Sequence, residues 1–145
     1  MPTLQIKTPA GAFTASQCRA MLSAVEQAAI ACSGLGPLPH QRRLCWVLHE
    51  PVAHWRCGDE DTFETFVPVL VQVLAPAGVL DAERRTRYAR AVHDAIVGAL
   101  AHPESRRLAV SITVSDVADG TWGANGELWN LARFAAVAGY AHMQA

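Results

Sequence analysis

Pro9-Ala10-Gly11-Ala12-Phe13-Thr14-Ala15 returns 67 positions later as Pro76-Ala77-Gly78-Val79-Leu80-Asp81-Ala82. Both copies open with the same turn-forming Pro-Ala-Gly. Both close on a side chain suited to cap a helix, Thr14 or Asp81, followed by alanine. Two more pairs keep this order. Arg42-Arg43-Leu44 recurs as Arg106-Arg107-Leu108, 64 positions on, and Val52-Ala53 recurs as Val117-Ala118, 65 positions on. A tryptophan lies just beyond each of the last pair, Trp55 and Trp122. Matches in one order at a near-constant offset mark a duplicated unit, and the lack of a third copy excludes a solenoid.

Each copy reads strand, turn, helix, loop, strand. In the first, Leu4 and Ile6 alternate with Thr3, Gln5 and Lys7, the period-two pattern of a half-buried strand. Thr14 and Gln17 have capping-box spacing, and Phe13 and Cys18 stand where a hydrophobic staple forms. Cys18, Met21, Leu22, Val25, Ala28, Ala29 and Cys32 then recur at helical spacing. Gly34 supplies a C-terminal cap, Pro37 and Pro39 prevent continuation, and Leu44 to His49 is the returning strand. In the second, Val69 to Leu74 is a strand with Pro68 at its start. Asp81 caps a helix with Tyr88, Val92, Ala95, Ile96, Ala99 and Leu100 on one face, ended by Pro103. Leu108, Val110, Ile112 and Val114 alternate in the last main strand.

Helices of this length between strands imply parallel pairing within each unit. The predicted class is therefore α+β: two fused β-α-β repeats forming a four-stranded mixed sheet, with two helices on one face. The other face needs cover, and oligomerisation would supply it. Residues 1–145 read as one domain, with repeats at 2–63 and 64–123 and a terminal interface segment at 124–145. In that segment Leu128, Trp129, Leu131, Phe134 and Ala135 give Glu127 to Val137 a helix-compatible pattern too apolar for a free tail.

Composition narrows the function classes. The 145 residues are 51% hydrophobic and 17% charged, with a formal net charge of -1. That describes a globular protein and gives no electrostatic reason to expect nucleic acid or an anionic membrane as partner. No apolar run approaches the roughly 20 residues that span a bilayer, and MPTLQIKT lacks the pattern of a signal peptide, so a cytoplasmic protein is expected. Cys18, Cys32, Cys45 and Cys57 have no Cys-x-x-Cys spacing and read as free thiols. His49, His54 and Cys57 have no second ligand pair at a recognised spacing, so no metal is expected.

Two features converge on a family. One is proline directly after Met1, at the head of a β-α-β unit. The other is Asp116-Val117-Ala118-Asp119-Gly120-Thr121-Trp122-Gly123-Ala124-Asn125-Gly126-Glu127-Leu128. Together they resemble the 4-oxalocrotonate tautomerase family of the tautomerase superfamily, whose short chains end on a similar Gly-x-aromatic-Gly-x-x-Gly-Glu-Leu pattern. Gly120, Trp122, Gly123, Gly126, Glu127 and Leu128 carry the match. Length and duplication are similar to the fused-repeat relatives, among them malonate semialdehyde decarboxylase and the 3-chloroacrylate dehalogenases. The segment His49-Glu50-Pro51-Val52-Ala53-His54 resembles a decarboxylase stretch after the second strand.

The resemblance covers about residues 2–128. It implies a tautomerase (MIF-like) fold, a homotrimer, Pro2 at the base of a pocket near a subunit boundary, and Trp122 in the pocket wall. Where family members carry arginines this chain has Ala12 and Val79 in loops, Ser111 and Cys45 in strands, and Ala75 and Ala77 after the third strand. Arg42 stands near the acidic position of the decarboxylase. These departures bear on the substrate rather than the fold.

Loss of Met1, favoured by a small second residue, would expose a secondary amine on a rigid ring. An α-amino group has a pKa of about 7.7–8.0 in water, and an apolar pocket or nearby cations lower it. A neutral amine can take a proton from carbon beside a carbonyl and return it elsewhere. The enolate and a substrate carboxylate would need cationic or N–H donors. Candidates are His40, Arg42, Arg43 and Arg107, with Arg106, Arg56, His49 and His54 behind them. Each arginine reads equally well as part of a solvated basic edge, and each histidine as structural. Trp122 is assigned to the pocket, Trp55 stays open between pocket and core, and Glu127 suits a turn or a helix cap.

The leading function is a cofactor-independent keto–enol tautomerase of a small 2-oxo acid, with Pro2 as general base. Two others stand beside it: a Pro2-dependent decarboxylase or dehalogenase/hydratase of a small 3-carbon acid, and a non-catalytic binding protein that keeps the tautomerase fold.

Overall fold

The structure is a computed structural model and describes residues 1–101 and 104–143. The first unit is β1 (Thr3–Pro9), α1 (Ala15–Ser33), a one-turn α2 (Pro39–Arg42) and β2 (Trp46–Val52). The second is β3 (Phe66–Pro76), α3 (Ala82–Leu100) and β4 (Arg107–Val117). A hairpin, β5 (Trp122–Ala124) and β6 (Glu127–Trp129), leads into α4 (Leu131–Ala138) and a final 3-10 turn, Ala141–Met143.

The sheet has the order β2-β1-β3-β4. Pairing is parallel within each unit, β1 with β2 and β3 with β4, and antiparallel where the units meet, Ile6 opposite Val71. This is the expected four-stranded mixed sheet. Alternation sorts its faces: Leu4, Ile6, Val69, Val71 and Val73 point into the core. There they meet Met21, Val25 and Ala29 of α1 and Tyr88, Val92, Ile96 and Leu100 of α3 in one apolar cluster. The opposite face is open, with Trp46, Leu48 and Leu74 all exposed.

Local chemistry sets the helix ends. Thr14 Oγ1 accepts from the Gln17 N–H at 3.2 Å while Gln17 Oε1 accepts from the Thr14 N–H at 2.9 Å, a complete capping box. Gly34 closes α1 at φ 70°, in the left-handed region that glycine enters without steric cost. Asp81 caps α3 by accepting from the Arg84 N–H at 2.7 Å. The expected stop at Pro103 lies outside the described residues.

Several boundaries differ from the sequence reading. The second strand starts at Trp46 rather than Leu44, because Pro39 opens a helical turn that ends with the Cys45 N–H on Arg42 O at 3.0 Å. Pro68 lies inside β3 rather than at its start. At that position β3 pairs with β4 alone, since β1 engages only Leu70 to Leu74, so the missing N–H costs no ladder bond. Residues 127–129, expected in a helix, form β6. Asn125 and Gly126 both have positive φ, 52° and 83°, which builds the two-residue turn that Asn-Gly favours.

One ion pair ties the units together at the far end of the sheet. Arg106 holds both carboxylate oxygens of Glu104, at 2.7 and 2.6 Å. It also donates to the carbonyls of Phe63 and Ala12, and lies 5.9 Å from the centre of the Phe13 ring. Its hydrogen bonds hold the Glu104 carboxyl well below the usual range, at about 2. A carboxyl whose folded pKa is depressed adds stability above its unfolded value, here about 4.5, that is lost as pH falls toward 2. Glu104→Gln is therefore expected to cost about 2 kcal/mol at pH 7. Urea unfolding of both proteins should show that difference shrinking through pH 4 and vanishing near pH 2.

Candidate active site

The open face of the sheet, the hairpin and the chain's first residue enclose a cavity of about 530 Å³. Met1 and Thr3 form its floor, Arg43, Trp46 and Leu74 one side, and Trp122, Ala124 and Trp129 the other. The hairpin stands upright because Phe134 of α4 braces both indoles, its ring 5.7 Å from Trp122 and 5.3 Å from Trp129. Asn130 caps α4 by accepting from the Arg133 N–H at 2.9 Å, and Asp119 Oδ1 accepts from the Leu131 N–H at 2.5 Å. The sequence after Trp122 thus becomes one wall of the cavity.

The floor carries the unusual electrostatics. Met1 is buried, and its terminal amine donates to the Tyr140 hydroxyl at 2.5 Å. Burial favours the uncharged amine and lowers its pKa from 8.0 to about 5, with the neighbouring Cys45 opposing slightly. Burial likewise pushes the Cys45 thiol up to about 12, with Glu26 adding to the effect, so this cysteine stays a neutral filler of the floor. Pro2, one residue on, is buried, and its carbonyl accepts from the Trp46 N–H at 3.0 Å, the rung that continues β1 against β2.

The sequence-predicted site residues fall in different places. Arg43 and Trp122 line the cavity; Pro2, next to Met1 in sequence and buried, does not. Arg43 is its only cationic side chain among the described residues, and its carbonyl accepts from the Trp46 indole N–H at 3.0 Å. Arg42 turns away to Gln27 Oε1 at 3.0 Å. His40 is exposed on α2, and Arg107 lines a groove at the start of β4 beside Leu108 and Ser111. Trp55 sits in a separate groove with Phe63 and Arg106. His49 pairs with Thr8 at 2.8 Å, and burial lowers its pKa. Glu127, exposed on β6, is 3.7 Å from Arg133. The structure adds Trp46, Trp129 and Tyr140, which sequence reasoning had not placed at the site. The apolar bias of the terminal segment signalled Trp129; nothing signalled Tyr140.

No family model matches the chain, and no curated protein matches it. Solved structures do. Macrophage migration inhibitory factor of Toxoplasma gondii superposes with a TM-score of 0.65 at 18% identity, covering 88% of this chain and 99% of that one. The Q0 fused 4-OT, a wild-type symmetric trimer, gives 0.68 at 17% identity over 88% and 94%. 5-carboxymethyl-2-hydroxymuconate delta-isomerase gives 0.64 at 15% identity over 86% and 87%. The chain shares the fold of these structures, the tautomerase (MIF-like) fold of two fused β-α-β units. Within this tautomerase fold the chain's end beyond α3 and β4 is built as a braced hairpin and helix on its own subunit, with Trp129, Phe134, Ala138 and Tyr140 in the common core.

Proposed function

We propose that the chain is a cofactor-independent keto–enol tautomerase of small 2-oxo acids, with the amine of Pro2 as general base once Met1 is removed. The observation that carries this reading is the buried terminal amine at the floor of a cavity whose only cationic side chain, among the described residues, is Arg43. Removal of Met1 brings the terminus to Pro2, whose carbonyl is already pinned by Trp46, and leaves the vacated space continuous with the cavity. A neutral secondary amine there abstracts the proton beside the carbonyl, giving an enolate. The resulting ammonium returns a proton to oxygen or to the distant carbon, so the amine is regenerated. Arg43 holds the substrate carboxylate through paired N–H donors, and the indoles of Trp122, Trp129 and Trp46 exclude water from the carbon chain.

A homotrimer belongs to the same reading. The open sheet face with Trp46, Leu48 and Leu74 supports it, as does the trimeric state of the fused 4-OT with which this chain shares its fold. The four cysteines are unpaired, and none of the described helices is long and apolar enough to cross a membrane, which suits the reducing cytoplasm we assign.

Ketonisation of the enol form of an aryl pyruvate, followed by absorbance after mass spectrometry verifies Met1 loss, tests the activity. Arg43→Ala should raise KM about tenfold with kcat little changed, because the carboxylate contact is made equally in ground and transition states. A fall confined to kcat would move Arg43 from binding to chemistry, and no wild-type turnover would remove the tautomerase reading.

A further inference from the structure

We propose that the phenol of Tyr140 positions the terminal amine and sets its basicity, a positioning residue supplied by the segment outside the duplicated units. The inference rests on the reading of Pro2 as the functional base. Tyr140 is wholly buried, and its hydroxyl meets the amine from the other end of the chain, 139 positions away. The contact is held from both flanks. Gly36 N–H donates to Ala138 O and Ala141 N–H to Gly34 O, each at 2.9 Å, so the residues around Tyr140 are clamped to the end of α1. Gly34 permits the approach, since a Cβ there would stand 2.8 Å from His142 Nδ1. A phenol in an apolar core with no partner would cost free energy, and the amine is the partner this one has.

Pro2 nitrogen lies one residue beyond Met1 nitrogen, which places it within about 6 Å of the phenol oxygen before any adjustment. Met1 loss would let the Pro2 amine close that distance directly or through one bridging water. The other groups around this amine are Cys45, just before β2, and Arg43, which lines the same cavity; Tyr88 of α3 lies near Cys45 and Tyr140, and Glu26 and Arg42 near Cys45. Burial raises both phenols and the thiol well above neutrality, so none of the three changes charge while the amine titrates. The phenol oxygen accepts from the ammonium in a charge-assisted bond, stronger than any it makes with the neutral amine. It therefore favours the protonated form and offsets part of the desolvation. Loss of the hydroxyl must lower the amine's pKa further.

The measurement is an NMR titration of the mature chain labelled with 15N-proline, which reads the Pro2 amine without substrate. Tyr140→Phe is expected to lower its pKa by about one unit and to shift the acidic limb of kcat/KM by the same amount. An unchanged amine pKa in folded Tyr140→Phe overturns the proposal. Should that variant not fold, 13C-tyrosine labelling of the wild-type chain decides. The chain has two tyrosines, so Tyr88→Phe assigns them, and the Tyr140 ring carbon bearing oxygen must titrate together with Pro2. Independent titration is the contrary result. A pKa that moves in a chain without turnover would leave this inference standing and defeat the tautomerase reading, so the two fail separately.

Discussion

On the proposed reading, Pro2→Ala is expected to lower kcat/KM for ketonisation about a hundredfold, and a preparation that retains Met1 to lose more, roughly 10³–10⁴-fold. The two losses have different origins. Alanine keeps a terminal amine but not the ring, so the nitrogen rotates freely about its bond to Cα, and its lone pair points at the substrate carbon only part of the time. With Met1 in place, Pro2 nitrogen is a tertiary amide with no basic lone pair, and the Met1 side chain occupies the cavity floor. The primary amine of Met1 is buried against Tyr140 instead. Steady-state rates on three preparations, mature wild type, mature Pro2→Ala and Met1-retaining wild type, with intact masses recorded, give the comparison. Equal rates in all three would detach the amine from the chemistry and leave a decarboxylase, a dehalogenase or a binding protein to be tested.

The duplicated fold was legible because its signals are local and repeated. Thr14 with Gln17, Asp81 with its helix, and the alternation from Leu108 to Val114 each settle their own element within a few residues, and the common offset says how elements combine. The hairpin was misread for a physical reason. Leu128, Trp129, Leu131, Phe134 and Ala135 satisfy a helical period, yet the backbone is decided earlier, by the left-handed pair Asn125-Gly126. Trp129 then faces Trp122 across a ladder rather than along a helix. The site was legible only in part. Of the cavity's lining, Trp122 came from a motif and Arg43 from its charge beside a strand, while Pro2, read from its terminal position, remains a proposal. Tyr140 has no such signal: its meaning is an encounter between the two ends of the chain, which no spacing within either end encodes.

Phe134→Ala is expected to cost about 3–5 kcal/mol, the range for emptying a fully buried aromatic site. Phe134 is 2% exposed. Its removal takes the brace from both Trp122 and Trp129, so the hairpin loses edge-on packing as well as buried area. The damage should also be ordered. The sheet, α1 and α3 form their own cluster through Leu4, Val71, Met21 and Ile96, whereas the hairpin and α4 reach that cluster through Trp129, Phe134, Ala138 and Tyr140. Tryptophan fluorescence, sensitive to Trp122 and Trp129, should therefore shift at lower urea than the far-ultraviolet circular dichroism of the helices, where the wild type shows one transition. Amide exchange at Tyr140 should rise with the fluorescence change, and ketonisation should fall, because the cavity wall and the partner of the terminal amine leave together. Coincident transitions displaced by less than about 0.5 kcal/mol would mean that the wall does not depend on Phe134, and the terminal segment would then have to be held by its backbone clamps at Gly34 and Gly36 alone.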